Sequence, residues 1–164
     1  MHYFITLLLL MSNTVSNAQD GKATTEKKTF SRTTSISINI NAAPASVWAL
    51  LTDAENFPQW NSTVTSFEGT IAAGEKIQLK STLAPDRTFK LKVKEMVPNQ
   101  LMIWGDAMGK RTYTLDKTDQ GTTFLMREKT GGPLFPLFAC QIPDFDETFE
   151  QFAADLKAAA EAGR

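Results

Sequence analysis

One carboxylate near the C-terminal end of an alternating segment could bind or act on a small molecule. Glu128 follows Phe124 and Met126 at alternate positions, so the three side chains share one face of a strand. If that face lines a cavity, Glu128 is a candidate ligand anchor or general acid/base. The alternative is that Leu125 and Arg127 point inward and leave Glu128 on the surface.

An arginine and a tyrosine occupy matching positions in the preceding segment. Arg111, Tyr113 and Leu115 alternate, which places them on one face of a neighbouring strand. Arg111 could pair with Glu128, or hold a ligand carboxylate or enolate through two parallel hydrogen bonds. A purely structural ion pair or an exposed arginine are the alternatives. Tyr113 is a candidate hydrogen-bond donor to a carbonyl, and a core ring is its alternative.

Histidine and cysteine are too scarce to support several common reaction types. The only histidine is His2 and the only cysteine is Cys140. An intramolecular disulfide, a His/Cys metal cluster, a Ser-His-Asp triad and a Cys-His pair are therefore excluded once His2 is removed. We expect no metal site and no cofactor.

The N-terminus has the pattern of a secretory signal peptide. Residues 3–11 are apolar, and this run is shorter than the ~20 residues that a membrane-spanning helix needs. Small residues at Ser16 and Ala18 precede Gln19. The run has no Lys or Arg before it, which departs from the usual pattern. Residues 1–18 are predicted to be cleaved near Ala18-Gln19, giving a periplasmic or secreted protein without stable membrane insertion; a retained anchor is the alternative.

The composition is typical of one globular domain with almost no net charge. The chain has 164 residues, of which 42% are hydrophobic and 21% charged, so it can bury a core. Its net charge is −1, which argues against nucleic acid or an anionic membrane as partner. A small apolar or amphipathic molecule is the partner that these features favour.

Periodicity predicts a strand, two helical segments, a run of strands and a long helix. Residues 19–32 are polar and are expected to form a flexible leader. A half-buried strand at 35–40 precedes a helix that begins at Pro44 and ends near Ala54. A short turn or helix at 57–60 follows. Six further strands are predicted at 63–69, 76–83, 88–97, 101–104, 110–117 and 122–130.

The last helix has one apolar face and a predicted start. Asp144 is the expected N-cap, and Glu147 would complete a capping box. A loop at 131–143 leads to it. The residues that share the apolar face are Phe145, Phe149, Phe152 and Leu156.

A helix that lies across a strongly curved antiparallel sheet leaves a gap, and such a gap is a suitable binding site. Trp48 and Trp60 are assigned to packing between helix and sheet. The side chains expected to line the gap are Leu79, Phe89, Leu91, Trp104, Arg111, Tyr113, Phe124, Met126, Glu128, Phe135, Phe138, Phe149 and Phe152.

Two sequence segments resemble a known superfamily. Residues 43–53, APASVWALLTD, and 56–61, NFPQWN, resemble the opening of SRPBCC proteins, and most of all the bacterial polyketide cyclase/dehydrase-like group. Further similarity covers residues 33–160, so the domain is expected at 33–162. The resemblance implies the α+β helix-grip fold of START lipid-transfer domains: a curved antiparallel sheet of about seven strands around a long C-terminal helix, with two short helices after the first strand.

The resemblance leaves three functions open. Members of the superfamily include carriers, hormone receptors and cyclases, so a binding protein without catalysis is the leading hypothesis. The second is a cyclase or dehydratase with Glu128 as acid/base and Arg111 stabilising an enolate. Close relatives often have histidine at the position of Arg111, so a mechanism that uses that histidine does not carry over directly. The third is an interaction protein with a collapsed cavity and an exposed apolar patch.

Overall fold

The computed structural model describes residues 20–163, which contain eight β-strands, four α-helices and one 3-10 turn. The 3-10 turn is Ala139–Gln141, and the helices are α1 (Pro44–Thr52), α2 (Phe57–Trp60), α3 (Phe135–Phe138) and α4 (Asp146–Ala162). The strands are β1 (Ala23–Lys28), β2 (Ser31–Ile40), β3 (Val64–Gly69), β4 (Lys76–Ser81), β5 (Ala84–Val97), β6 (Leu101–Gly105), β7 (Gly109–Thr118) and β8 (Gly121–Gly131).

All the strands belong to one curved antiparallel sheet. Their order is β1-β2-β8-β7-β6-β5-β4-β3, so β3 to β8 form a meander and the β1–β2 hairpin joins it at β8. The connection from β2 to the far edge runs through α1 and α2. This architecture confirms the predicted helix-grip fold, with one more strand than the expected seven.

Alternation in the strands decides which face is buried. Ile36 and Ile38 of β2 are buried and pair in register with Met126 and Phe124 of β8, which are also buried. The face that carries Phe124 and Met126 is therefore the concave face beneath α4. Because side chains alternate, Glu128 lies on this same face, as the sequence pattern predicted.

The extra strand comes from the segment that was expected to be a flexible leader. Residues 23–28 pair with β2 along their whole length. The prediction was wrong because polar, threonine-rich segments also suit an exposed edge strand that hydrogen bonds to a neighbour. This strand also contacts α4, since the Thr25 hydroxyl donates to the Asp146 carboxylate at 2.6 Å and the Ala23 N–H donates to the Glu150 carboxylate at 3.2 Å. Lys22, just before the strand, forms an ion pair with Glu150 at 3.0 Å. The predicted signal peptide and Gln19 lie outside the described residues.

The long helix begins one residue later than predicted. Phe145 occupies the N-cap position, and its carbonyl accepts the first helical hydrogen bond from the Phe149 N–H at 2.8 Å. The Phe145 ring stacks on the Phe149 ring at 6.0 Å, which explains why this residue takes the position. Asp144 instead accepts a hydrogen bond from the Asp146 N–H at 2.9 Å, so the predicted capping box with Glu147 is wrong.

The starts of α1 and of β8 each depend on one residue with a special backbone. Pro44 is at the start of α1, as predicted. Gly121 has φ of 139°, and a Cβ atom there would lie 2.3 Å from the Ile40 carbonyl oxygen, so only glycine fits where β8 begins. Within residues 20–163, none of the helices has the length and apolar character needed to cross a membrane.

Candidate functional site

An open cavity lies between the concave face of the sheet, α4 and the segment that precedes it. Its volume is about 620 Å³, within the range of small-molecule sites. Strands β3 to β8 form its floor, and residues 138–145 with the first two turns of α4 cover it. The expectation of a collapsed cavity, which belonged to the third functional hypothesis, is therefore wrong.

Ten of the thirteen predicted side chains line this cavity. Whether they contact a ligand stays a prediction. The ten are Leu79, Phe89, Leu91, Trp104, Arg111, Met126, Glu128, Phe138, Phe149 and Phe152.

The other three predicted side chains are part of the core. Tyr113 is 1% exposed and Phe124 is fully buried, and both rings pack on Phe152, at 5.9 and 6.3 Å. Phe152 of α4 fills the space above them, so no gap remains at this end of the concave face. Phe135 is buried in α3, where its ring packs on Phe138 at 5.6 Å. Trp60 packs on Phe57 and Phe152, as expected for a packing residue.

Arg111 and Glu128 form an ion pair in the cavity wall. They are direct partners in the β7–β8 register, and Arg111 Nε donates to Glu128 Oε2 at 2.7 Å. Their side chains are 24% and 15% exposed. The guanidinium also lies 5.1 Å from the centre of the Phe149 ring. Arg111 Nε already donates to a carboxylate of the protein, so the edge of the guanidinium that contains Nε is not available for two parallel hydrogen bonds to a ligand carboxylate.

The protonation states of the pair and of Tyr113 follow from burial and charge. Burial lowers the pKa of Arg111, but the neighbouring Glu128 charge and Tyr113 raise it, and the result is above the ordinary value. Burial raises the pKa of Tyr113 by more than the Arg111 charge lowers it. The Tyr113 hydroxyl lies outside hydrogen-bonding geometry with every described group, although the Arg111 charge acts on it. Tyr113 therefore keeps its proton and does not act as a base.

A second arginine, which the sequence analysis placed in the leader, fixes the cover of the cavity. Arg32 is 8% exposed and donates to the carbonyls of Ile142 and Pro143 at 3.1 and 2.5 Å. Its guanidinium lies 4.6 Å from the centre of the Phe145 ring. We call residues 142–145 the strap, because Ile142, Pro143 and Phe145 all line the cavity. The available signal was alternation, since Arg32, Thr34 and Ile36 continue one buried face.

A third arginine lies at the rim and was also missed. Arg87 lines the cavity, and its guanidinium is 4.8 Å from the centre of the Phe89 ring. Arg87, Phe89 and Leu91 alternate along β5, so extending the predicted strand by one residue would have placed Arg87 on this face. Within residues 20–163, no group of three His, Cys, Asp or Glu side chains is placed to hold a metal ion.

Exposed apolar side chains cluster at the end of the sheet beside the cavity. Phe30 and Leu137 are 59% and 74% exposed, and Leu134 and Met108 are also exposed. The backbone joins their segments, because the N–H groups of Gly131 and Gly132 donate to the carbonyls of Met108 and Phe30, each at 3.0 Å. The patch that the third hypothesis required is thus present, but beside an open cavity.

Solved structures share this fold at low sequence identity. A protein from Mesorhizobium loti is 19% identical with a TM-score of 0.64, over 81% of this chain and 99% of that one. A protein from Rhodobacter sphaeroides is 18% identical with a TM-score of 0.66, over 87% of this chain and 100% of that one. A protein from Staphylococcus saprophyticus is 16% identical with a TM-score of 0.61, over 79% and 91%. None of the curated proteins compared is significantly similar in sequence.

The family relationship covers most of the chain. Residues 31–161 match the family described as polyketide cyclase / dehydrase and lipid transport, from the start of β2 almost to the end of α4. The matched range includes every residue that lines the cavity. The sheet around α4 and the cavity between them agree with this match. The chain therefore belongs to the polyketide cyclase / dehydrase and lipid transport family of SRPBCC proteins.

Proposed function

We propose that this protein binds a small, largely apolar molecule in the cavity between the sheet and α4. The observation that carries the proposal is an open cavity of about 620 Å³ with mostly hydrophobic and aromatic walls. An apolar ligand of that size gains free energy by leaving water, at about 25 cal/mol per Å² of buried apolar surface. The membership of a family that includes lipid transport supports the same reading.

The charges in the wall favour binding over catalysis. Arg111 and Glu128 neutralise each other at 2.7 Å, and Tyr113 keeps its proton behind them. A general acid/base must exchange a proton with the substrate, and Glu128 Oε2 already accepts a hydrogen bond from Arg111 Nε. A neutral pair does not prevent an apolar molecule from entering.

A cavity-filling substitution tests the proposal directly. Leu91 lines the cavity, whereas Lys90 is the neighbouring exposed residue on the other face of β5. We expect Leu91→Trp to abolish binding of the neutral apolar dye Nile red, measured by fluorescence titration, because the indole occupies the space. Lys90→Trp adds the same ring outside and should bind the dye normally. Equal binding by both variants would place the dye elsewhere and sink the proposal.

Catalysis on a bound carbonyl compound is the second candidate. It is supported by the position of Arg111 and Glu128 in the wall, where both could reach a substrate. An enzyme of the cyclase or dehydratase type would exchange the acidic α-hydrogens of a bound ketone. Deuterium incorporation into 2-undecanone, followed by mass spectrometry, should then depend on Glu128, and Glu128→Gln should abolish it. No incorporation above the buffer rate would leave binding as the function.

We also propose that the protein is exported, on the basis of the apolar run at 3–11 and the small residues before Gln19. Mature protein purified from its native host should then begin at or near Gln19, as read by intact mass and N-terminal sequencing. A chain that begins at Met1 contradicts cleavage.

A further inference from the structure

The charged side chains of the cavity wall are not all neutralised by the protein. The wall contains four charged residues: Arg87, Asp106, Arg111 and Glu128. The last two form the ion pair described above. Among the described residues 20–163, Arg87 has no carboxylate within ion-pair distance. Its cation is therefore available to an incoming anion.

The remaining carboxylate of the wall is occupied within its own loop. Asp106 accepts hydrogen bonds from the N–H groups of Met108 and Gly109, at 2.8 and 2.9 Å. The Lys94 ammonium donates to the main-chain carbonyl of Asp106 at 2.9 Å and so holds the same loop. The Asp106 carboxylate is thus bonded within its own loop, and among the described residues it forms no ion pair with Arg87.

The backbone of β5 directs Arg87 to the rim of the cavity. Ala84 pairs with Ser81, and Phe89 pairs with Leu79, so β5 has additional residues between these two pairs. Such a bulge changes the direction of side chains and is frequent beside functional sites. The Arg87 guanidinium then lies over the Phe89 ring, whose face attracts a cation.

Alternate residues of β5 form a gradient from charge to apolar surface. Arg87 is exposed, Phe89 and Leu91 are half-buried, and Val93 is fully buried. Residues two apart on a strand are about 6.6 Å apart, so this face runs from solvent into the concave surface beneath α4. A molecule with a polar head and an apolar tail matches this sequence of environments.

We propose that Arg87 binds the head group of the ligand, and that the ligand is an amphipathic anion with a carboxylate or a phosphate at one end. The guanidinium offers a planar pair of N–H donors to either group, and the tail lies along Phe89 and Leu91. This inference rests on the proposed function of the same cavity.

The opposite orientation of the ligand, with its anionic head group deep in the cavity, is unfavourable. Arg111 is the only cation of the inner wall among the described lining residues, and Glu128 already neutralises it. A second carboxylate next to Glu128 would be repelled and would lose its hydration. At the rim the head group keeps part of its water, so its charge costs little.

Four probes with the same alkyl chain separate the head-group effect from burial of the tail. They are dodecanoate, dodecyl phosphate, dodecanol and dodecyltrimethylammonium, each titrated below its micellar concentration and measured by calorimetry. We expect the full protein to bind at least one anion about tenfold more tightly than dodecanol, the size of effect that one hydrogen-bonded charge contributes. A preference for only one anion distinguishes carboxylate from phosphate ligands.

Substitutions at Arg87 then assign the preference to this residue. Arg87→Gln should remove the anion preference, so that the ratio of anion affinity to dodecanol affinity falls about tenfold. Arg87→Glu should invert it in favour of the ammonium probe. Lys90→Gln removes the same charge from the outer face of β5 and should keep the preference.

The outcomes distinguish this inference from the proposed function. The role of Arg87 is overturned if dodecanol and the anions bind equally well, or if the anion preference survives in Arg87→Gln. The binding function stands in both cases. Failure of all four probes to bind overturns this inference, and the proposed function is overturned with it only if Nile red also fails to bind. A preference that Lys90→Gln also removes assigns the effect to net charge and overturns the specific role of Arg87.

Discussion

At the scale of single residues, Arg111 and Glu128 form an ion pair with each other, although the sequence was compatible with either side chain binding a ligand. The pair joins neighbouring strands at 2.7 Å and is only partly exposed. Removing one member leaves the other charge half-buried, whereas replacing both with apolar residues removes the problem. The pair therefore has a structural role that can be separated from any role in binding.

Glu128→Gln should lower the free energy of unfolding by about 1–3 kcal/mol, because Arg111 loses its charged partner. The double variant Arg111→Met/Glu128→Leu should lose less than that. Urea unfolding at pH 7 measures both. If the single variant were as stable as the unmodified protein, the pair would contribute nothing to the fold.

Tyr113 provides a second prediction, which concerns pH. Its pKa is raised in the folded state above the ordinary value of 10.0, because burial outweighs the Arg111 charge. As pH rises, Tyr113 ionises in the unfolded chain before it ionises in the folded protein. Its contribution to the free energy of unfolding is therefore complete below about pH 10 and is lost above it.

The stability of the unmodified protein should therefore fall more steeply above pH 10 than that of Tyr113→Phe. At pH 7 the phenylalanine variant should be at least as stable, since the hydroxyl it removes has no hydrogen-bond partner among the described groups. Urea unfolding at several pH values between 7 and 11 measures this. Parallel curves for the two proteins would mean that Tyr113 is not the group responsible.

At the scale of elements, the edge strand and the strap both depend on contacts with α4 or its N-terminal approach. The strand β1 pairs with β2 and is hydrogen-bonded to α4 through Ala23 and Thr25. A chain that starts at Phe30 should therefore unfold at a lower temperature than one that starts at Asp20. If residues 20–29 were a flexible leader, the two melting temperatures would be the same.

Arg32 holds the strap by two hydrogen bonds and by its contact with Phe145. Arg32→Met should loosen residues 142–145 and increase the rate at which a bound probe leaves, because these residues cover the cavity. Stopped-flow displacement of Nile red measures the rate. Arg127→Met is the matched control, since Arg127 is exposed on the other face of β8. A rate that changes equally in both variants would not support a role for the strap.

At the scale of the whole molecule, the cavity exists only when the sheet and α4 are assembled. Its walls come from six strands, the strap and the long helix, so the unfolded chain has no equivalent binding site. A ligand that binds only the native state stabilises it by an amount that grows with concentration.

A bound probe at one hundred times its dissociation constant should therefore add about 2.7 kcal/mol to the free energy of unfolding. Thermal unfolding with increasing Nile red or alkyl probe measures this. The Leu91→Trp variant should show no such increase. An equal increase in that variant would mean that the probe binds outside the cavity.

Sequence alone determined much of the fold, because short-range patterns reflect secondary structure directly. The alternation of Phe124, Met126 and Glu128 identified the concave face of β8, and the spacing of Phe149, Phe152 and Leu156 identified the buried face of α4. The family resemblance supplied the connection between these elements. The edge strand was missed because it has no buried apolar face and is held by main-chain pairing.

Only the tertiary structure decided which concave residues face open space. Tyr113 and Arg111 are two residues apart on one face, yet Phe152 covers the first and the second lines the cavity. Alternation determines the face of a strand, but the place where α4 touches that face depends on packing between distant segments. For the same reason, three further features depend on the assembled sheet. They are the ion pair of Arg111 with Glu128, the strap held by Arg32, and the Arg87 cation, which has no carboxylate partner among the described residues.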